Sequence, residues 1–355
     1  MRRLVFLVPG DPASLTGGYG YDRAIVAGLR ERGWSIAMPA LAASFPWPDA
    51  PALNAAAKDV AAIDNGTLVV ADGLAFGALP ALTEQHAARL RWVALVHHPL
   101  ALETGLDDAA RRQLADSERR ALASARIVIV PSAATARALA PYGVPAARIR
   151  IVPPGTAPAS LATGSGAGAV AGLNLLCVAT LSARKGHALL IEALAGLADR
   201  AWTLHCIGST TRDRATADSL RGLIHAHGLA HRVHLLGELP PADLQTHYSQ
   251  ADIAVLASYF EGYGMALAEA LAHGLPVIAT TAGAIPDTVP PAAGMLVPPG
   301  DAAALRAALR RVFDEPALRA QLAAGARAAR AMLPAWPQAV AAFEAALDDA
   351  GSLPR

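Results

Sequence analysis

Residues 251–280, ADIAVLASYFEGYGMALAEALAHGLPVIAT, carry the reading that decides the fold. Residues 253–257 are an unbroken apolar run, as expected of a strand covered on both faces. A loop with two glycines follows, then an apolar stretch of helical period predicted as a helix over 266–272. Residues 277–280 form a second short apolar run, predicted as a strand. Strand, helix and strand in that order make parallel strands joined by a helical crossover, the unit of a doubly wound α/β sheet.

The same alternation extends upstream. Strands are expected at 173–179, 202–207 and 233–236, with helices at 185–198, 215–227 and 243–249 between them. In the first half, strands are expected at 4–8, 34–37, 68–70, 92–96, 127–130 and 149–152. Amphipathic stretches at 21–32 and 107–124 lie among them. Between the halves, 153–172 (PPGTAPASLATGSGAGAVAG) has no charge and no strong period, the composition of a linker. The expected organisation is therefore two Rossmann-like domains facing a cleft. They comprise residues 1–155, a linker 156–172, a second domain 173–335, and a C-terminal helix and tail 336–355. A chain of 355 residues has room for two such domains of roughly 150 residues.

Composition excludes some functions. The formal charge of +1 gives no electrostatic reason for a nucleic-acid partner. The basic start MRRLVFLVPGD stops being apolar at Pro9-Gly10-Asp11, too soon for a signal sequence, and reads as a first strand. No run approaches a membrane span, which leaves peripheral membrane contact open. Cys177 and Cys206 lie in apolar runs and read as buried reduced thiols, so a cytoplasmic location is expected. Only two of the thirty basic residues are lysine, Lys58 and Lys185. In so arginine-rich a chain, a lysine flags a position where arginine will not serve.

Ligands of such sheets bind beyond the carboxyl ends of the strands, so the loops after strands carry the candidate chemistry. Glu261-Gly-Tyr-Gly-Met-Ala-Leu-Ala-Glu269 combines a sharp turn at Gly262 and Gly264 with a helix start near Met265. That is a place for a diphosphate. Glu261 and Glu269 could each accept hydrogen bonds from paired hydroxyls, or could be carboxylates favoured by the helix dipole alone. In Ala179-Thr-Leu-Ser-Ala-Arg-Lys-Gly186, Arg184 and Lys185 are adjacent cations beside a helix start, suited to a pyrophosphate or to a solvated turn. Gly17 and Gly18, in the loop after the first strand, could close over a phosphate or sugar, or serve the backbone only. His97, at another strand end, could bond a sugar hydroxyl or act as acid or base, and His98 reads as structural. The pair His97-His98 does not read as a metal site, because neighbours on an extended chain point to opposite faces. No P-loop and no Asp-x-Asp pair is present, so no metal or cofactor is expected.

With these residues in place, the chain resembles the retaining GT-B glycosyltransferases of family 4 (group 1), most specifically over 256–287. There the Glu-x7-Glu block is followed by A-x-G-x-P-V-I-A and a glycine loop ending in an acid. The resemblance implies a C-terminal helix packing back toward the first domain. It also implies a hexosyltransferase moving sugar from a nucleotide-sugar donor to an acceptor hydroxyl, with retention and without a metal. Glu261 would bind the donor sugar's hydroxyls and Glu269 the ribose. Tyr263, Gly264 and Met265 would offer backbone groups to sugar and phosphate, and Lys185 would grip the diphosphate. His97, Glu261 and Lys185 form the expected catalytic set. The acceptor stays unknown. The family arginine is replaced by Thr180, with Arg184 the candidate substitute, and Ala284 and Asp287 stand where Gly and Glu are commoner. A nucleotide-sugar epimerase of the same fold and a non-catalytic nucleotide-sugar-binding protein remain alternatives. A phosphorylase would need a cofactor lysine beyond the two present.

Overall fold

The computed structural model describes residues 2–166 and 172–352, so residues 167–171 of the expected linker lie outside it. The chain divides into two compact units. The first comprises 1–14, 18–155 and 334–355; the second comprises 15–17 and 156–333.

In the first unit the strands are β1 (Arg2–Pro9), β2 (Trp34–Ala37), β3 (Ala40–Leu41), β4 (Leu68–Asp72), β5 (Arg91–Leu95), β6 (Ile127–Val130) and β7 (Ile149–Ile151). They form one parallel sheet in the order β2-β1-β4-β5-β6-β7, with β3 pairing the end of β1. β4 and β6 are buried along their whole length, as their continuous apolar runs require. The C-terminal helix Trp336–Ser352 belongs to this unit and packs on β4, β5 and β6. Its fit depends on Gly28 of the helix Gly17–Glu31, where a Cβ would stand 2.4 Å from Val340 Cγ2. Tyr21, buried on the same helix, meets Trp336 and Phe343 edge-on or tilted, and its hydroxyl donates to Val152 O at 3.1 Å.

The second unit holds β8 (Leu173–Val178), β9 (Trp202–Ile207), β10 (Val233–Gly237), β11 (Ile253–Leu256), β12 (Val277–Thr280) and β13 (Gly294–Val297). All pairings are parallel, in the order β10-β9-β8-β11-β12-β13. Numbered within the unit this is 3-2-1-4-5-6, the doubly wound order whose direction reverses between β8 and β11.

Several expected bounds shift. The helix expected from 185 starts at His187, because Gly186 at φ +68° separates it from a single 3-10 turn, Ala183–Lys185. β13 and the helices Ala302–Asp314 and Pro316–Ala329 have no counterpart among the sequence expectations. The helix Ala302–Asp314 does carry a period, burying Leu305, Leu309 and Val312 on one face after the cap Asp301, which accepts from Ala304 N at 2.8 Å; in Pro316–Ala329 alanine blurs it. Among the described residues no helix is long and apolar enough to cross a membrane.

Candidate functional site

In the second unit the two candidate loops follow β8 and β11, neighbouring strands at the point where strand order reverses. Ligands of such sheets gather there. The Ala183–Lys185 turn lies against the end of β11: a Cβ on Gly186 would stand 2.0 Å from Ala257 O. Tyr259 N donates to Arg184 O at 2.8 Å, and Arg184 Nη1 donates to Phe260 O at 3.0 Å. These contacts deliver the Lys185 ammonium to Glu261, with Nζ 2.7 Å from Oε1. Ser258 Oγ donates to the same oxygen at 2.6 Å. Burial would raise the Glu261 carboxyl, but the charges of Lys185 and Arg184 and the two hydrogen bonds outweigh it. The group is held below its usual value and ionised. Gly283, at φ +58°, lets its chain cross behind Glu261: a Cβ there would stand 2.1 Å from Glu261 O.

Gly264, at φ +89°, turns the chain into the helix Met265–Ala272. Its first intrahelical bond is Leu267 N–H to Gly264 O, so the amides of Met265 and Ala266 lie ahead of the helical ladder. One turn further, half-buried Glu269 accepts from Tyr248 Oη at 2.9 Å. Burial raises its carboxyl, and the Tyr248 hydroxyl offsets part of that. Tyr248 is buried and stacked on His273, with ring centroids 4.9 Å apart. Tyr263 is half-buried, its carbonyl accepting from Thr288 Oγ1 at 2.6 Å. Lys185, Arg184, Glu261, Tyr263, Gly264, Met265 and Glu269 thus all belong to the β8 and β11 loops and the helix that follows.

In the first unit strand order reverses between β1 and β4. Gly17 and Gly18 open the helix Gly17–Glu31, and a Cβ on Gly18 would meet His97 Cδ2 at 3.3 Å. His97 Nε2 lies 3.1 Å from Asp22 Oδ1 and 3.4 Å from Asp72 Oδ2. Asp72 ends β4 and caps the next helix, accepting from Leu74 N at 2.8 Å. Burial and the Asp22 charge push its carboxyl up to about 7, against the pull of His97 and the Leu74 amide. For His97, burial favours the neutral ring, but Asp22 and Asp72 outweigh it and raise the imidazole above its usual value. His98 Nε2 lies 3.4 Å from Glu103 Oε2, outside this cluster.

Sequence reasoning missed Asp22 and Asp72. Asp72 had a signal, an acid closing an apolar strand before Gly73. Asp22 had a weaker one, an acid three and seven residues before Ile25 and Leu29 and hence on the apolar face of its helix. Asp22 and Asp72 make the His97 region a compact three-residue set whose donor atoms all lie within 4.8 Å of one another, which spacing along the chain could not reveal.

The model of glycosyltransferase family 4 matches residues 7–159, and that of glycosyl transferases group 1 matches residues 172–329. The chain belongs to the group 1 glycosyltransferases. A D-inositol 3-phosphate glycosyltransferase of Acidothermus cellulolyticus is 30% identical over 279 residues, covering 71% of this chain and 61% of the relative. One from Corynebacterium diphtheriae is 31% identical, covering 50% of this chain and 42% of the relative. The chain thus spans about two-fifths to three-fifths of the length of these relatives. Among solved structures, a sucrose-phosphate synthase of Thermosynechococcus elongatus superposes with TM-score 0.82 at 23% identity, covering 97% of this chain and 98% of its own. Anabaena HepE in complex with UDP and glucose superposes with TM-score 0.75 at 19% identity, covering 99% and 100%. Both show the same two-domain α/β fold, the GT-B architecture of this glycosyltransferase family.

Proposed function

We propose that this glycosyltransferase moves a hexose from a nucleoside diphosphate sugar to an acceptor hydroxyl, retaining the anomeric configuration. The observation that carries the reading is the Lys185–Glu261 pair, held between the β8 and β11 loops beside the Gly264-headed helix start. An ammonium has three N–H donors, so its bond to Glu261 is compatible with further bonds to phosphate oxygens. Amides ahead of a helix and a positive dipole end complement the rest of a diphosphate. Charge on the departing diphosphate would be stabilised by Lys185 and these amides, the main catalytic contribution in this account.

Glu261, kept ionised, is assigned to the sugar hydroxyls, and Glu269 to the ribose diol. In the first unit, His97 braced by Asp22 is assigned to a ligand hydroxyl. Protein cations neutralise the phosphates, so no added magnesium or manganese is required. Structures of HepE with UDP-glucose make UDP the first base to test, and the relatives' names make D-inositol 3-phosphate the first acceptor.

The test is a thermal-shift series with UDP, GDP and ADP in EDTA. One nucleoside diphosphate should raise the melting temperature through mass action, by about 2.7 kcal/mol of stability at a hundredfold excess over Kd. No stabilisation by any of the three, or stabilisation only with magnesium, would sink the proposal.

A further inference from the structure

Beneath the Lys185 turn lies a cluster that the sugar-transfer reading does not use. Cys177 on β8 and Cys206 on β9 are register partners on adjacent parallel strands, so both side chains emerge on one face of the sheet. His187, the first residue of the helix His187–Ala195, closes over them from the neighbouring loop. The three side chains are 1%, 0% and 2% exposed. One donor atom from each, two Sγ and an imidazole nitrogen, lies within 4.8 Å of the others. Among the described residues neither ring nitrogen of His187 has a geometrically well-formed hydrogen bond, and the polar group that faces the ring is the Cys177 thiol, a weak partner. A buried imidazole left in that state is costly, and the cluster needs a physical account.

A disulfide between the strands would account for the thiols but leave His187 unpartnered. A thiol hydrogen bond from Cys177 to the ring would serve one nitrogen and leave the other buried without a partner. A metal ion at the centre would satisfy all three side chains together. We propose that Cys177, Cys206 and His187 form a site for one thiophilic metal ion, Zn2+ by charge balance. Two thiolates and a neutral imidazole around Zn2+ sum to zero, which a low-dielectric interior tolerates, whereas a monovalent ion would leave a buried negative charge. Two cysteines and one histidine are an established set of three protein ligands for zinc, with a fourth position left to water. Binding releases the two thiol protons, so occupancy rises with pH. The ion ties β8 and β9 to the start of the helix, and Gly186 alone separates His187 from Lys185. The site therefore braces the donor-side turn from below and takes no part in bond breaking.

The experiment uses the full chain, purified without chelator and reconstituted with Zn2+, then with Co2+ and separately with Cu+. Expected are about one zinc per chain by elemental analysis and a thiolate-to-cobalt charge-transfer band on reconstitution with Co2+. Two thiols should react with a disulfide reagent only after unfolding in chelator. Cys177→Ala and Cys206→Ala should lose the metal and the cobalt band, and the zinc-dependent rise in melting temperature should disappear with them. If the variants fail to fold, metal content and thiol titration of the unaltered chain still decide. Metal-free protein that binds none of the three ions, thiols already joined as a disulfide, or zinc retained by Cys206→Ala would each overturn the proposal. Binding of Cu+ in preference to zinc would overturn the zinc assignment.

Discussion

Lys185 and Arg184 are neighbours with different work. Lys185 reaches Glu261 across the two loops, while Arg184 spends a guanidinium nitrogen on the Phe260 carbonyl. Lys185→Ala should therefore weaken nucleoside diphosphate binding by roughly 1.5–3 kcal/mol, the range of a charge-assisted hydrogen bond. Arg184→Ala should change it by about 0.5 kcal/mol or less. Isothermal calorimetry on the two variants separates them, and equal losses would show that Arg184 grips phosphate as well. The two glutamates should separate by a different criterion. Glu269→Ala should weaken the bare diphosphate, because the ribose contact goes with it. Glu261→Ala should leave that affinity unchanged or improved, since it releases Lys185, yet reduce turnover of the donor sugar. Equal weakening by both changes would contradict these roles. The rarity of lysine singled out Lys185 in the sequence. That its ammonium meets Glu261 while Arg184 turns to the Phe260 carbonyl was not legible, since adjacent residues in a 3-10 turn diverge.

Turns and helix ends set the geometry at the next scale up. Gly186 combines φ +68° with a Cβ position 2.0 Å from Ala257 O. Gly186→Ala should cost about 2–5 kcal/mol of stability in the second unit, and a chemical denaturation curve matching the wild type would refute the tight approach. In the first unit, Glu118 is buried in the helix Asp108–Ala123, with Oε2 accepting from Leu100 N at 2.9 Å. Burial lifts its carboxyl from 4.5 to about 7 against the pull of that amide and of Tyr142. A raised folded-state value means stability present below the unfolded value and lost as pH climbs through the folded one. The contribution, up to roughly 3 kcal/mol, should disappear between about pH 4.5 and 7. Asp72 and His97, also raised, act in the same direction. Denaturation at the two ends of that window should show the loss, and Glu118→Gln should flatten its share. A slope unchanged in Glu118→Gln would rule the residue out. The βαβ unit at 251–280 was plain in the sequence because its strands are continuous and its helix follows a glycine turn. The helix Ala302–Asp314 was there to be read, since Leu305, Leu309 and Val312 recur at helical spacing after Asp301, whereas in Pro316–Ala329 alanine fits either face and marks no period. The Asp22–Asp72–His97 and Cys177–Cys206–His187 clusters each draw on three separate elements, and no local pattern assembles them.

For the whole molecule, two doubly wound sheets share one principle: each reverses strand order once, and each carries its polar cluster at the loops beside that reversal. The helix Trp336–Ser352 covers β4, β5 and β6 of a sheet whose first strand starts at Arg2, so the first unit is built from segments far apart in the chain. That return was expected from the amphipathic tail together with the family resemblance. What the molecule does as a whole rests on whether a nucleoside diphosphate sugar is turned over at the Lys185–Glu261 site. Proton NMR of a donor such as UDP-glucose, followed over time in EDTA with and without an acceptor, measures this directly. The account predicts release of the nucleoside diphosphate, a product with the donor's anomeric configuration, and loss of turnover in Lys185→Ala. Turnover that inverts the anomer, that needs added magnesium or manganese, or that survives intact in Lys185→Ala would contradict it.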